Sequence, residues 1–295
     1  MSFVLNQKRK TLLPVLLLLC AMISIQSGAS LAKSLFPTIG ALGVTALRLF
    51  LATIILFIIF KPWRKKLRGH SLKHLVIYGI SLGSMNSLFY LSLERIPLGI
   101  TVALEFTGPL AVAMFSSRRA IDFVWILMVI VGLAFLLPFG NNINSLDPVG
   151  VTYALAAGIC WGTYIIFGQR AGAGYGTATV ALGSFISTLI FFPVGLLTVG
   201  IEPLFDLSIL PIALAVAILS TAFPYTLEMF ALTRMPAKTF GTLMSLEPAM
   251  GAFMGMIFLN EHLTLTQWFA LFCIIGASIG SASTMKTKNE TVEIN

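Results

Sequence analysis

The sequence is a succession of apolar segments of roughly 18 to 22 residues, separated by short polar breaks. A segment of this length crosses a bilayer as an α-helix, whereas a strand of an outer-membrane barrel needs about half as many residues. Only 10% of the residues are charged and 57% are hydrophobic, compared with about 25% charged residues in soluble domains. The pattern therefore predicts an all-α integral membrane protein.

Ten spans can be drawn along the chain, and the connections between them are too short to hold a soluble domain. The expected spans lie at residues 12–33, 42–60, 72–93, 98–116, 121–138, 149–168, 177–198, 208–231, 238–258 and 264–284.

The first span shares some features with a secretory signal peptide. A basic KRK at 8–10 precedes it, and the small-residue SLA at 30–32 resembles a cleavage site. We predict a retained helix instead, because its removal would break the internal repeat described below.

The basic residues are concentrated in alternate loops. If the N-terminus is cytoplasmic, all but three of the 19 Lys and Arg residues lie in cytoplasmic loops or tails; the exceptions are Lys33 and Arg95 outside and Arg48 within a span. This skew predicts that both termini are cytoplasmic. The net charge of +8 then faces the lipids of the inner leaflet, so we expect membrane lipids as partners and no nucleic acid.

An internal repeat relates two of the spans. The segment LERIPLGITVALEFTGPLAVAMF (93–115) aligns without gaps on LTRMPAKTFGTLMSLEPAMGAFM (232–254) at a constant offset of 139. Arg95 falls on Arg234 and Pro109 on Pro248. Five spans per repeat is an odd number, so the two halves have opposite orientations in the membrane. We predict a first repeat at 1–140, a second, inverted repeat at 141–288 and a cytoplasmic tail at 289–295.

Two related halves of opposite orientation are typical of secondary transporters, whose substrate site lies near the bilayer midplane. An enzyme, a metal site and a bound cofactor are not expected. Only three histidines occur in the chain and no carboxylate cluster accompanies them, although His70 and His74 have i, i+4 spacing. The three cysteines lie within apolar runs and suit packing rather than disulfide formation or metal binding.

Four charged residues are predicted to lie inside spans: Arg48, Glu105, Glu228 and Glu247. An ionised side chain at the bilayer centre costs at least ~2.5 kcal/mol, so each needs a partner or an aqueous cavity. Glu105 has the fewest structural explanations, because it adjoins neither a loop nor a proline in the sequence, and we expect it to line the transport pathway.

Each of the other charged residues has an alternative role. Arg48 fits a structural cation that ties its helix to a carboxylate or a helix C-terminus, as well as a substrate contact. Glu247 precedes Pro248 and fits a group that satisfies free backbone near the proline kink.

Several neutral polar or aromatic residues are expected at a similar depth. Asn86 and Tyr90 have i, i+4 spacing, and Tyr225 and Glu228 have i, i+3 spacing, so each pair lies on one helix face. Asn86 also aligns with Tyr225 at the repeat offset of 139. The aromatic residues Tyr90, Trp161 and Tyr225 suit packing as well as a pocket wall.

Two motifs resemble the EamA-type family of the drug/metabolite transporter superfamily: TALRLFLATIILF (45–57) and SLEPAMGAFMGMIFLNE (245–261). Longer stretches resemble bacterial inner-membrane exporters of threonine and homoserine, among them SIQSGASLAKSLFP (24–37), VALEFTGPLAVAMFSSRR (102–119) and AVAILSTAFPYTLEM (215–229). The resemblance implies efflux of small neutral amino acids, driven by the proton gradient. The fourth span departs from the family pattern, because it has EFTGP where the ninth has Glu-Pro.

Such a substrate is a zwitterion, so its pocket needs an acceptor for the ammonium group and a donor for the carboxylate. Glu105 or Glu228 would supply the first, Arg48 or unwound backbone the second, and Asn86, Gln26 and Tyr225 would bind the side-chain hydroxyl. The predicted proton-coupling residues are Glu105 and Glu228. The predicted substrate-binding residues are Glu105, Asn86, Tyr90, Tyr225, Glu228, Arg48, Gln26 and Trp161. The alternative function is export of a more hydrophobic drug or metabolite, and the sequence leaves the oligomeric state open.

Overall fold

The computed structural model of the chain describes residues 2–64, 69–116, 119–136, 147–236, 240, 243–259 and 264–283. The described residues form helices joined by turns, with no strand among them, which confirms the all-α prediction. The predicted repeat boundary at 140 and the tail at 289–295 lie outside this part of the chain.

The α-helices, in chain order, are α1 (Ser2–Lys33), α2 (Phe36–Phe60), α3 (Gly69–Leu93), α4 (Leu98–Glu105), α5 (Thr107–Ser116), α6 (Ala120–Leu136), α7 (Pro148–Tyr175), α8 (Ala178–Val199), α9 (Ile201–Leu204), α10 (Leu210–Ala217), α11 (Phe223–Leu232), α12 (Leu246–Leu259) and α13 (Leu265–Ser283). A 3₁₀ turn (Pro62–Arg64) follows α2, and a π-helical turn (Ile218–Ala222) joins α10 to α11.

Seven helical segments are long and apolar enough to cross a membrane, so the chain is a multi-pass membrane protein. They are Leu13–Lys33, Phe36–Phe60, Ser71–Leu93, Leu98–Phe115, Pro148–Tyr175, Ala178–Val199 and Leu210–Leu232. The other three predicted spans coincide with the shorter helices α6, α12 and α13. The ten-span topology therefore stays a prediction.

Several helices differ from their expected bounds, among them α1, which begins at Ser2 rather than residue 12. Helix α2 begins at Phe36, earlier than expected, and is kinked at Gly40, whose φ of 62° lies in the left-handed region. Helix α7 continues to Tyr175, well beyond the expected end at 168.

The packing of the helices pairs the two halves of the sequence. Helix α3 packs on α7 and α1 on α11, while α2 packs on α8, α4 on α12 and α6 on α13. If the spans repeat after five, α2–α8, α4–α12 and α6–α13 are pairs of equivalent spans, and the α3–α7 pair is equivalent to α1–α11. This is the arrangement expected of two halves related by a two-fold axis in the membrane plane.

The fourth span, expected at 98–116, has a turn near its middle. Helix α4 ends at Glu105, and α5 begins at Thr107. The cause is Pro109, which has no N–H to donate to the Glu105 carbonyl and whose ring crowds that carbonyl. Glu105 is therefore the last residue of α4, directly before the turn at Phe106.

The ninth span has a turn at the equivalent place. Residues 244 and 245 form the turn before α12, and Ser245 lies 139 residues after Phe106, which is the offset of the repeat. Pro248 stands there as Pro109 does in the fourth span. Paired, interrupted helices of this kind occur at the substrate sites of secondary transporters.

The eighth span is also irregular. The π-helical turn precedes Pro224, which has no N–H for the carbonyl of Ser220 four residues earlier. Insertions of this kind within α-helices are frequent at functional sites. The irregular turn places Ser220 toward the centre of the bundle.

Helices α5 and α7 cross at two glycines. A Cβ on Gly108 would overlap the backbone carbonyl of Gly158, and a Cβ on Gly158 would lie 2.6 Å from the Glu105 carbonyl oxygen. The close approach therefore requires glycine at both positions and fixes the break in the fourth span against α7.

We predict that Gly158→Ala destabilises the protein by about 1–3 kcal/mol, because the added methyl group forces α4 and α7 apart. Thermal unfolding of the purified protein in detergent measures the effect. The matched control is Gly99→Ala in α4, where the nearest atom to the new Cβ lies 4.0 Å away. Equal melting temperatures for the two variants would contradict the prediction.

An ion pair fixes the start of α7. The guanidinium of Arg95 donates to Asp147 Oδ2 at 2.7 Å, and the Val149 N–H donates to Asp147 Oδ1 at 2.8 Å. Asp147 is thus the N-cap of α7. The hydrogen bond from Arg95, and secondarily that from Val149, lower the pKa of Asp147 below its usual value, and Asp147 in turn raises the pKa of Arg95.

We predict that Asp147→Asn lowers the melting temperature at pH 7 and that the difference from wild type disappears in acid. A carboxyl whose pKa is depressed by folding stabilises the fold above its unfolded-state pKa of about 3.9, and this contribution is lost as the pH falls through the folded-state value. Asparagine still caps a helix, so the remaining difference reports on the charge. A gap between wild type and variant that is as large at pH 2.5 as at pH 7 would contradict this interpretation.

Candidate functional site

A central cavity lies where the interrupted spans meet. It offers about 40 Å³ to the centres of water molecules, enough for about three waters at the usual ~10–15 Å³ each. All eight predicted binding residues line the cavity, as do Ile25, Ala29, Met85, Phe89, Val102, Ser220 and Glu247.

Arg48, on α2, is 97% buried at this cavity, with 3% of its side chain exposed. Its Nη1 donates to Ser220 Oγ at 3.0 Å, and its Nη2 donates to Asn86 Oδ1. Its Cζ lies 4.4 Å from the centroid of the Tyr90 ring, a cation–π contact. Arg48 thus joins α2 to α3 and to the π-helical turn.

Arg48 was expected to tie its helix to a carboxylate or to a helix C-terminus, and the contacts that it makes are different. Within the described residues Arg48 forms no ion pair with a carboxylate, and the ion pair found there is Arg95–Asp147. The buried guanidinium is held by an amide and a hydroxyl instead.

Asn86 and Tyr225, which the repeat aligns with each other, are in direct contact. The Tyr225 hydroxyl donates to Asn86 Oδ1 at 2.8 Å, and Asn86 Nδ2 donates to the Leu82 carbonyl at 2.7 Å, which fixes the direction of the amide. Residues at equivalent positions can touch only where a two-fold axis passes between them. Their contact supports a repeat axis that passes through the cavity.

Glu247 belongs to this site, although the sequence-based set of binding residues left it out. It is 2% exposed and lies in the first turn of α12, where the positive end of a helix favours a carboxylate. Its Oε2 accepts a hydrogen bond of 2.6 Å from Gln26 Nε2. Its Oε1 has no partner within the described residues, so the expected alternative, in which the side chain satisfies free backbone near Pro248, is not found in that part of the chain.

Glu228, on α11, is hydrogen-bonded to a residue of α7. In the predicted topology this residue lies in the cytoplasmic half of the helix. The Tyr164 hydroxyl donates to Glu228 Oε2 at 3.0 Å. The Tyr164 ring lies between those of Tyr78 and Tyr225, with centroid separations of 5.1 Å and 6.1 Å. Tyr164 is fully buried. It is absent from the predicted set of substrate-binding residues, because only its hydrogen bond to Glu228 connects it to the site.

Glu105 has a different environment from the other two carboxylates. It is 6% exposed and faces the cavity, and within the described residues its carboxylate makes no hydrogen bond or ion pair. A proton can therefore be added to or removed from Glu105 without breaking a contact.

The aromatic residues of the predicted set both pack and line the cavity. Trp161 makes an edge contact with Phe106 at 6.4 Å, and Tyr90 contacts Phe36 and Phe89 at 5.6 Å. Packing and lining the pocket, the two alternatives for these side chains, therefore occur together.

The cavity collects one guanidinium and three carboxyl groups, each from a different helix, in a bundle whose outer surface is apolar. Phe115, Leu197 and Phe272 are more than four-fifths exposed on that surface, as expected for side chains in contact with lipid. Within the described residues no group of His, Cys, Asp and Glu side chains is arranged to hold a metal ion. The geometry therefore suits a small, polar ligand that carries both charges, bound by direct contacts to side chains.

Comparison with known proteins gives consistent results. The model of the EamA-like transporter family matches residues 148–282. The threonine/homoserine exporter RhtA of Escherichia coli K12 is 58% identical over 289 residues, which cover 98% of each chain. RhtA of Salmonella typhimurium LT2 is 57% identical over 290 residues, with the same coverage.

More distant similarities agree. An uncharacterized transporter of Clostridium kluyveri is 22% identical over 79% of each chain. A solved crystal structure superposes with a TM-score of 0.67 and 15% identity, covering 92% of this chain and 96% of the other. That likeness concerns the fold alone.

Proposed function

Because this chain belongs to the EamA-like transporter family, as its motifs predicted, we propose that it is a secondary active exporter of threonine, homoserine and similar small neutral amino acids across the bacterial inner membrane. The family and the named relatives are transporters, so the chain is not an enzyme. One observation carries the substrate assignment: the 58% identity to a threonine/homoserine exporter extends over 98% of both chains.

The chemistry of the cavity supports a zwitterionic substrate. Arg48 is a permanent cation, and three carboxyl groups share the same cavity. An amino acid carries one group that pairs with each kind of side chain. A purely hydrophobic ligand would leave the polar atoms of the cavity that have no partner, such as Arg48 Nε and Glu247 Oε1, unpaired, which costs free energy.

Alternating access is the mechanism proposed for transport. The pairing of equivalent helices, the breaks at Phe106 and Ser245 and the Asn86–Tyr225 contact support two inverted halves that rock about the cavity. The basic cytoplasmic loops of the predicted topology give the orientation, with both termini inside.

Proton coupling is assigned to Glu105 and, with it, Glu228. Glu105 faces the cavity without a hydrogen bond, so its protonation state responds to the charge of whatever occupies the cavity. A proton that binds there from the outside as the substrate leaves, and departs toward the cytoplasm before the next substrate binds, couples export to proton entry.

We predict that Glu105→Gln in proteoliposomes retains exchange of labelled homoserine but loses the additional uptake driven by an imposed pH gradient. Glutamine has the same shape and cannot exchange a proton. The ratio of gradient-driven uptake to counterflow, measured on the same vesicles, should fall to the value obtained without a gradient. The matched control is Glu202→Gln, because Glu202 is exposed on α9. If the driven component survives unchanged in Glu105→Gln, the coupling role is wrong.

We predict that unlabelled threonine and homoserine compete with labelled homoserine for transport, whereas lipophilic cations do not. The aromatic wall formed by Phe89, Tyr90, Trp161 and Tyr225 is the feature that would favour the alternative, export of a hydrophobic drug or metabolite. Competition by lipophilic cations in the absence of competition by amino acids would establish that alternative.

A further inference from the structure

Four buried polar atoms on residues of the cavity have no hydrogen-bond partner within the described part of the chain. Two are acceptors, Gln26 Oε1 and Glu247 Oε1, and two are able to donate, Arg48 Nε and the Tyr90 hydroxyl, of which the hydroxyl can also accept. Buried polar atoms are nearly always paired. Other unpaired buried atoms occur in the described part of the bundle, but these four belong to residues that line one cavity, so we take them as the atoms that a ligand complements.

The acceptor pair is held in place by its own hydrogen bond. A carboxylate only accepts hydrogen bonds, so the bond from Gln26 Nε2 to Glu247 Oε2 turns the amide nitrogen of Gln26 toward Glu247. The amide oxygen is left without a donor, as is the second carboxylate oxygen. Both side chains are 98% buried, with 2% exposed, and join α1 to α12. This wall of the cavity therefore presents two acceptors that lack a donor.

The donor pair is fixed in a different way. The two terminal nitrogens of Arg48 donate to Ser220 and Asn86, so Nε is the nitrogen without a partner. The guanidinium lies over the ring of the fully buried Tyr90. Arginine stays protonated under all ordinary conditions. This second wall, on α2 and α3, requires an anionic acceptor.

We propose that these two walls orient the substrate of the proposed exporter: the α-ammonium group binds Gln26 Oε1 and Glu247 Oε1, and the α-carboxylate binds Arg48 Nε and the Tyr90 hydroxyl. An ammonium group has three N–H donors and no acceptor, whereas a carboxylate has only acceptors, so each end fits one wall. The inference rests on the proposed function and refines it. Glu247 replaces Glu105 and Glu228 as the ammonium ligand, and Gln26 contacts the ammonium group rather than the hydroxyl.

This assignment also separates binding from coupling. Glu228 is bonded to Tyr164, and Glu105 makes no hydrogen bond within the described residues, so both remain available to carry a proton while Glu247 holds the ammonium group.

The test compares three ligands by calorimetric binding to the purified, full-length chain in nanodiscs. They are L-threonine, 2,3-dihydroxybutanoate, in which a hydroxyl replaces the ammonium group, and L-threonine amide, in which a neutral amide replaces the carboxylate. For wild type we expect threonine to bind about 10- to 100-fold more tightly than either analogue, the usual effect of losing a charge-assisted hydrogen bond.

In Glu247→Gln, the new amide oxygen accepts from Gln26 and an NH₂ group faces the cavity in place of an acceptor. Threonine affinity should fall about 10- to 100-fold, and the preference for threonine over 2,3-dihydroxybutanoate should disappear. The preference for threonine over its amide should remain. Tyr90→Phe should show the opposite pattern, with a reduced preference over threonine amide only.

Gln26→Met is a second variant of the ammonium wall and should also lose the preference over 2,3-dihydroxybutanoate; Glu202→Gln is the matched control and should bind all three ligands as wild type does. If the folded Glu247→Gln and Gln26→Met variants keep that preference, or if Glu228→Gln abolishes it instead, the orientation is overturned while the exporter function stands. If wild type binds neither threonine nor homoserine, the proposed function fails and the orientation fails with it.

Discussion

The central part of this structure depends on how the bundle accommodates Arg48, a permanent cation buried away from water. Its partners are an amide, a hydroxyl and an aromatic face, contributed by α3 and the π-helical turn. Because Asn86 also accepts from Tyr225, the same small network ties α2, α3 and α11 together. The three carboxyl groups of the cavity are left outside this network, so they remain available for a ligand and for protons. A direct ion pair between Arg48 and one of these carboxyl groups would have neutralised both charges, and that carboxyl group would no longer be available to a ligand or a proton.

Prolines create the space in which these groups meet. Pro109, Pro224 and Pro248 each remove one backbone hydrogen bond near the middle of a span. In each case the helix is irregular in the turn just before the proline. In a membrane such irregular backbone is tolerated only where protein buries it or a polar cavity receives it. The cavity and the breaks therefore require each other. The glycine crossing at Gly108 and Gly158 holds α7 against one of the breaks and limits how far it can open.

Much of the site could be predicted from sequence, because a polar side chain in an apolar span avoids the lipid and faces the interior of the bundle or a cavity. Gln26, Arg48, Asn86, Glu105 and Glu228 converge on one cavity for this reason, although their roles there remain predictions. The break at Phe106 was missed because Glu105 and Pro109 are four residues apart, and only the missing i to i−4 hydrogen bond connects them. Glu247 and Tyr164 were undervalued because their partners, Gln26 and Glu228, are 221 and 64 residues distant. No local pattern identifies such pairs, although a carboxylate beside the proline of an interrupted span is a signal for the first.

The two halves of the predicted repeat share prolines at equivalent positions but differ in the side chains that they present. At the repeat offset Asn86 meets Tyr225 and the prolines coincide, whereas Glu247 aligns with Gly108, and Glu105 has no carboxylate at its equivalent position. In the proposed alternating-access mechanism, a frame with two-fold symmetry lets the two halves exchange inward and outward arrangements at similar free energy, since the two-fold rotation approximately converts one arrangement into the other. A symmetric set of side chains would bind two equal ligand ends, whereas the proposed amino-acid substrate has unlike ends. Gly108 and Glu247 occupy equivalent positions of the predicted repeat: glycine permits the close approach of α7 in the first half, and glutamate brings a carboxyl group to the cavity in the second.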